Sequence, residues 1–305
     1  MQRYIIRRLL QGVLLLVLVT SIVFFIGRLT GNPVDMMLDE DATEADRQAL
    51  IERLKLDGPI LVQFQVFVWD ALHGDLGQSI RYKQPAIDLF FSRFPNTLLM
   101  IPPAMILALV MAIPLGVLSA VYRGGWIDRI SGTIAVLGIA TPNFWLAIVL
   151  IFVFSVQLRW LPSGRMGGID HYVLPTITLG TFLVAGLMRL IRSSMLETLD
   201  SEFVKLARIK GLRELVVVCK HALRNALIPV LSLWGVFLGG LVTGAIVTET
   251  VFAWPGIGRL TYEAVIFRDY PLLQAVIIMD ALLILSINLV VDILYAYVDP
   301  RIRFE

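Results

Sequence analysis

The side chains able to do chemistry in this chain are few and poorly grouped. Its three histidines, His73, His171 and His221, lie far apart, and no Gly-x-Ser-x-Gly or His-Glu-x-x-His pattern occurs. A nucleophile needs a base beside it and a metal needs several converging ligands. Neither a catalytic nor a metal site is therefore expected. One cysteine, Cys219, excludes a disulfide framework and a cysteine-based metal centre. A nucleotide-hydrolysing loop would read Gly-x-x-x-x-Gly-Lys-Ser/Thr, and the chain has no Gly-Lys pair. If ATP drives this protein, another subunit hydrolyses it, and no cofactor is expected here.

What remains are two carboxylates inside a long apolar run, Asp280 and Asp292. At helical spacing Asn288 falls about 80° and Asp292 about 120° around the axis from Asp280, so the three make one polar stripe. A carboxylate at mid-membrane costs about 2.5–3.5 kcal/mol. The stripe should thus face a pathway or the donors of a neighbouring helix, and both readings stay open. A proton-coupled secondary transporter using the two aspartates is the alternative from another functional class.

The elements that carry these residues are set by hydropathy. Of 305 residues 57% are hydrophobic and 16% charged, with a mean hydropathy of +0.79, beyond what a water-soluble surface tolerates. Charge-free stretches of 19, 29, 29, 18 and 24 residues separate Arg8 from Arg28, Arg93 from Arg123, Arg129 from Arg159, Asp170 from Arg189 and Arg224 from Glu249. A crossing needs about 20 residues. With the run from Pro271 to Val298 this predicts an all-α membrane protein with six transmembrane helices, near 9–27, 97–121, 134–157, 173–189, 226–248 and 271–297. Fifteen Lys and Arg fall on one side, eight of them in 189–225. That asymmetry predicts a cytoplasmic N-terminus and C-terminus. The prolines at 102, 103, 114, 142, 175 and 229 lie in or at the ends of apolar runs, as hinges or static bends.

Two segments lie outside the spans. In 28–96, which is net acidic, Thr43 and Asp46 suggest a helix start, and Ala49, Leu50 and Leu54 an apolar face before Asp57-Gly58-Pro59. A second short helix carries Leu61, Phe64, Val68, Ala71 and Leu72 and stops at His73-Gly74-Asp75. In 189–225, Leu196, Leu199, Phe203, Leu206 and Ala207 fall at helical spacing, Gly211 interrupts, and helix resumes from Leu212. A hydrophobic ridge edged by Lys205, Arg208 and Lys210 suits a partner groove, or an anionic lipid surface.

Glu202-Phe203-Val204-Lys205-Leu206-Ala207-Arg208-Ile209-Lys210-Gly211-Leu212, followed by Lys220-His221-Ala222-Leu223-Arg224-Asn225 and Pro229, resembles the cytoplasmic coupling loop of binding-protein-dependent ABC importer permeases of the dipeptide, oligopeptide, glutathione and nickel branch. The match departs from the general pattern. Lys205-Leu206-Ala207 stands where Glu-Ala-Ala is usual, and His221-Ala222-Leu223-Arg224 keeps only the leucine of Ile-x-Leu-Pro. Similar to the branch as well are Arg3-Tyr4-Ile5-Ile6-Arg7-Arg8, Leu56 to Pro59, Gly74-Asp75-Leu76-Gly77-Gln78-Ser79, Glu249 to Gly258, and Asp292 to Arg303. Together these stretches run through nearly the whole chain in order.

The resemblance implies a type I ABC importer permease fold in a bacterial inner membrane, with helix 1 in 1–27, an extracytoplasmic segment 28–96 and a permease core 97–305. It implies a second homologous permease, two ATPase subunits holding ATP and Mg2+, and an extracytoplasmic substrate-binding protein. It implies uptake of dipeptides or oligopeptides, or of nickel or glutathione by the same machine. Phe203, Lys205, Leu206, Ala207, Arg208, Lys210, Gly211 and Leu212 would couple to an ATPase, with Phe203, Leu206, Ala207 and Leu212 buried in its groove. Trp254, Pro255 and Gly256 would dock the binding protein, or Trp254 would sit in an interfacial aromatic belt. Asp280 would attract the amino end of a peptide.

Overall fold

The computed structural model describes residues 2–29, 43–53 and 58–298. The expectations for Ala49, Leu50 and Leu54, for the stop from Leu56 to Pro59 and for Asp299 to Arg303 therefore lie wholly or partly outside the described residues or side chains. In chain order the helices are α1 (Gln2–Leu29), α2 (Glu44–Arg53), α3 (Ile60–Leu72), α4 (Ala86–Val121), α5 (Trp126–Ala140), α6 (Asn143–Leu150) with a π-helical extension Ile151–Gln157, α7 (Asp170–Leu199), α8 (Glu202–Ile209), α9 (Glu214–Val216) with a π-helical run Val217–Ala222, α10 (Leu223–Val251), α11 (Ile257–Ile266) and α12 (Tyr270–Val298). Among the described residues the β-structure is one isolated bridge, Gln78 to Pro85.

Among the described residues five helices are long and apolar enough to cross a membrane, or six if α5 and α6 count as one span. The predicted third span, 134–157, is not one continuous helix but two, which meet at 102°. Pro142 has no N–H to continue α5, and the residue before a proline is pushed out of the helical region. Thr141 sits at φ −79° and ψ 119°, and Pro142 becomes the cap of α6. Pro102, Pro103, Pro114, Pro175 and Pro229 instead lie within continuous helices.

The chain divides into two compact units, Met1–Asn96 with Pro255–Glu305, and Thr97–Trp254. In the second, α7 is the central helix, packed on α5, α6 and α10. Leu183, Leu187, Met188, Ile191 and Met195 are buried along it. Lipid tails are as apolar as leucine, so helices in a membrane gain most from close approach of small residues. Gly138 supplies that on α5, where an added Cβ would stand 2.9 Å from the Ala185 Cβ, and Gly116 does so on α4, at 2.7 Å from Ile191.

In the first unit α1 lies against α12, with Gly12 beside Leu285 and Gly27 beside Gln274, and α11 also packs on α12. Four phenylalanines, Phe24 and Phe25 of α1 and Phe64 and Phe67 of α3, join those helices at ring separations of 5.3–5.5 Å.

Candidate functional site

The coupling segment begins where α7 ends. Ser201, extended at φ −72° and ψ 152°, starts α8, and its Oγ donates to the Thr198 carbonyl at 2.5 Å. The single long helix expected up to Gly211 is thus two, broken at Asp200-Ser201. Glu202 in the first turn and Arg208 in the last complement the helix dipole.

The end of α8 is a two-bond cap. The Gly211 N–H donates to the Arg208 carbonyl at 2.9 Å and the Leu212 N–H to the Ala207 carbonyl at 3.4 Å, with Gly211 at φ +77°. That is the Schellman arrangement, which requires a left-handed residue and favours glycine. Nothing lies within 4 Å of a Cβ at 211, so glycine is needed for its backbone and not for room. Across the cap, Arg208 donates to both oxygens of Glu214, at 2.7 and 3.2 Å. Lys205 donates to Glu202 at 2.8 Å, and this neighbour holds its ammonium above the usual lysine range.

One face of α8, Val204 and Ala207, is buried in the chain's own core, where α8 packs on the π-helical run. Ala207 at 6% exposure is not available to a partner, contrary to the expectation that it fills a partner's groove. The opposite side is an open ridge of Phe203, Leu206, Ile209, Leu212 and Leu215, exposed by 44, 56, 80, 40 and 75%, with Lys205, Arg208 and Lys210 exposed beside it. Ile209 and Leu215 escaped the sequence reading, although an apolar residue at every third position from 203 to 215 signals them.

A second cluster in this unit went unread. Asp128, at the start of α5, accepts from Arg192 twice, at 2.7 and 3.0 Å, from Ser119 Oγ at 2.6 Å and from the Gly124 N–H at 2.9 Å. Another polar pair in this unit is fully buried, Thr97 Oγ1 donating to Glu249 at 2.6 Å.

Trp254 was expected to stand at an exposed turn. It is instead 0% exposed, its indole edge-on to Tyr172 at 4.8 Å. Neither a docking anchor nor a belt residue fits that burial. α10 ends in another Schellman cap, with Ala253 at φ +51° donating to Thr250 and Trp254 donating to Glu249 at 2.7 Å. Pro255 is half-buried and its carbonyl accepts from Asn96 at 2.8 Å, while Gly256 is a buried, extended cap of α11.

In the first unit, Gly74 and Gly77, both at positive φ, fold residues 74–85 into a compact loop. Asp269, 1% exposed, receives that loop, accepting from Ser79 Oγ at 2.5 Å and from the N–H groups of Ile80 and Arg81 at 3.1 and 3.2 Å. The Tyr82 hydroxyl donates to Glu263 at 2.6 Å, and Arg259 pairs with the same carboxylate at 2.9 Å. Burial first, and then that hydrogen bond, push the Tyr82 hydroxyl above its ordinary value. Arg81 lies 3.3 Å over the Phe267 ring. Around this loop Tyr262, Val265, Ile266 and Phe267 are exposed.

Of the predicted polar stripe on α12, Asp280 and Asn288 are half-buried. The side chain of Asp292 lies outside the described residues. Gln274 and Leu285, which meet α1, mark another face, from which Asp280 is about 120° removed.

The family described as binding-protein-dependent transport system inner membrane component matches residues 112–304, and its N-terminal counterpart matches residues 1–101. The glutathione transport system permease protein GsiC of Escherichia coli K12 is 41% identical over 306 residues, covering 100% of both chains. The oligopeptide transport system permease protein AppB of Bacillus subtilis strain 168 is 40% identical over 316 residues, also covering 100% of both. The inward-facing MetNI methionine ABC transporter superposes with a TM-score of 0.60 at 20% identity, covering 69% of this chain and 96% of the other. An amino acid ABC transporter crystallised with histidines gives 0.51 at 16% identity, with 69% and 94% covered. At those identities the two structures speak for the fold alone.

Proposed function

This chain belongs to the family of binding-protein-dependent transport system inner membrane components, and from that premise we propose that it is the transmembrane permease subunit of an ABC importer for short peptides, paired with a second, related permease. The relatives named for glutathione and for oligopeptides share one cargo chemistry, since glutathione is itself a short peptide. Family membership displaces the proton-coupled alternative raised by Asp280 and Asp292.

The observation that carries the mechanism is the ridge on α8. Five exposed apolar side chains in one row, Phe203, Leu206 and Ile209 on the rigidly capped α8, Leu212 in the turn and Leu215 on α9, are a costly surface for water and an apt one for a groove. We assign that groove to a separate ATPase subunit, which holds the ATP and Mg2+. The arginine-rich side that includes α8 is then cytoplasmic, and both termini with it. Closure of two ATPases on ATP would move α8 as a lever and tilt the helices joined to it. In this reading Phe203, Leu206, Ile209 and Leu212 enter the groove, Lys205, Arg208 and Lys210 form its polar rim, and Ala207 holds α8 to its own chain. The 74–85 loop and α11 form the receptor for the binding protein, in place of Trp254. Asp280 faces the pathway, where a carboxylate draws the amino end of a peptide, while Asn288 lies about 40–60° from the face that meets α1.

The test is crosslinking and transport with the complex reconstituted from co-expressed subunits. Ile209→Cys in a Cys219→Ser background should crosslink to the ATPase, and Ile209→Glu should weaken its binding about tenfold or more. Peptide uptake should need ATP and binding protein together. Uptake without ATP, or normal coupling in Ile209→Glu, overturns the assignment. For Asp280→Asn, unchanged preference between free and N-acetylated peptides removes the pathway role.

A further inference from the structure

α3 (Ile60–Leu72) has no buried residue, although ten of its thirteen side chains are apolar. At about 100° per residue its surface resolves into three faces. Ile60, Phe64, Phe67, Val68 and Ala71 lie on the first, within about 60° of Phe64, where Phe64 and Phe67 meet Phe24 of α1 at 5.3 Å and Ile60 is 45% exposed. The second, about 60° to 160° from Phe64, holds Leu61, Leu72, Trp69 and Val62, exposed by 65, 78, 64 and 48%, with Gln65 the polar residue among them. The third, on the opposite flank, carries Gln63 and Asp70 with Val66 beside them. Water facing the second side would be expensive. Large apolar side chains left in water forgo the gain of burial in proportion to their area.

What covers this face follows from α1. Its Phe24 side meets α3 and its Gly12 and Gly27 side meets α12, and the remaining side carries Leu18, Ile22 and Ile26, exposed by 57, 47 and 54%. On a membrane-crossing helix that remaining side meets lipid. α3 is joined to this helix near its C-terminal end, through the contacts of Phe64 and Phe67 with Phe24 and of Phe64 with Phe25. We infer that α3 is an interfacial helix lying in the lipid headgroup boundary, with Leu61, Val62, Trp69 and Leu72 in contact with acyl chains and Asp70 turned to water. The composition suits that place. Such helices pair an apolar arc with a polar edge, and tryptophan favours the headgroup level. α3 would then fix the depth of α1 and hold the 74–85 loop, which follows directly, at a set height above the bilayer. The inference rests only on α1 crossing the membrane, not on the cargo or the coupling partner.

Spin labels test it on the assembled transporter in lipid nanodiscs. Labels are placed at Leu61→Cys, Trp69→Cys, Leu72→Cys and Asp70→Cys in a Cys219→Ser background. Collision with dissolved oxygen reports lipid, and collision with a polar nickel chelate reports water. The oxygen-to-nickel ratio should be about tenfold higher at 61, 69 and 72 than at 70, since a polar chelate is excluded from apolar surroundings, and adding binding protein should not change it. Nickel access at 61 and 69 equal to that at 70 overturns the inference. So does immobilisation with both reagents excluded, which would mean a second permease covers α3. Nickel protection that appears only with binding protein would make it a protein-docking face and overturn the inference too. Loss of peptide uptake with the accessibility pattern unchanged would count against the transport reading alone.

Discussion

Arg192 and Asp128 meet in a two-point ion pair, Nε to Oδ1 at 2.7 Å and Nη2 to Oδ2 at 3.0 Å. The carboxylate also takes the Ser119 hydroxyl and the Gly124 N–H, so it ties the α4–α5 turn to the last turns of α7, just ahead of the coupling helix. Asp128 is the keystone because it serves four donors while Arg192 is a third exposed. Asp128→Ala should cost about 1–3 kcal/mol, the range for leaving polar partners unsatisfied, and Arg192→Ala less. If the turn moves with α8, Asp128→Asn should also lower peptide imported per ATP while the complex still assembles. Thermal unfolding and a stoichiometry of uptake against phosphate release check both.

Gly211 needs its left-handed backbone and has free space around it. Gly211→Asn, which tolerates that region, should be mild. Gly211→Ala should cost about 1–2 kcal/mol locally, and Gly211→Val more. Uptake should fall in that order with the ATPase still bound. Equal loss from Asn and Val would mean that a partner fills the space at 211, and the order of uptake among the three variants decides.

Trp254→Ala should act on stability and not on recognition. A fully buried indole removed from a packed core costs about 3–5 kcal/mol. Trp254→Phe keeps the ring and should recover much of this. Affinity for the binding protein, measured on the folded fraction, should stay as in the parent.

Asp269→Ala should free the 74–85 loop, because Ser79, Ile80 and Arg81 lose their common acceptor. Proteolysis of the loop should accelerate with little change in α12. Tyr82 adds a pH dependence. Its hydroxyl is raised above the unfolded value of 10.0, so its contribution is fully present below pH 10 and is lost as pH rises through the higher folded value. Loop protection should therefore fall at strongly alkaline pH in the parent and lack that step in Tyr82→Phe. An identical pH profile in both would remove Tyr82 from the latch.

Much of this architecture was determined by the sequence alone, for physical reasons that act locally. Bilayer thickness makes a long apolar run legible, so the helices around 9–27, 97–121, 173–189, 226–248 and 271–297 are where hydropathy puts them, each with longer ends. Positive φ makes glycine legible, so the caps at Gly74 and Gly211 are visible in the amino acids themselves. Other decisions are taken by the tertiary structure. α10 and α11 end in the same Schellman geometry with Ala253 and Arg268 at φ +51°, residues that advertise no turn. A left-handed alanine costs about 1–2 kcal/mol, less than burial of Trp254 beside Tyr172 returns, at about 3–5 kcal/mol. Arg268 delivers Asp269 to the 74–85 loop. The same logic governs α8 and Trp254: amphipathic spacing names a ridge but not which residues their own chain consumes, so Ala207 turned inward, Ile209 stayed out, and the tryptophan expected at a surface became core. Periodicity is a property of one helix, whereas exposure belongs to whatever packs against it.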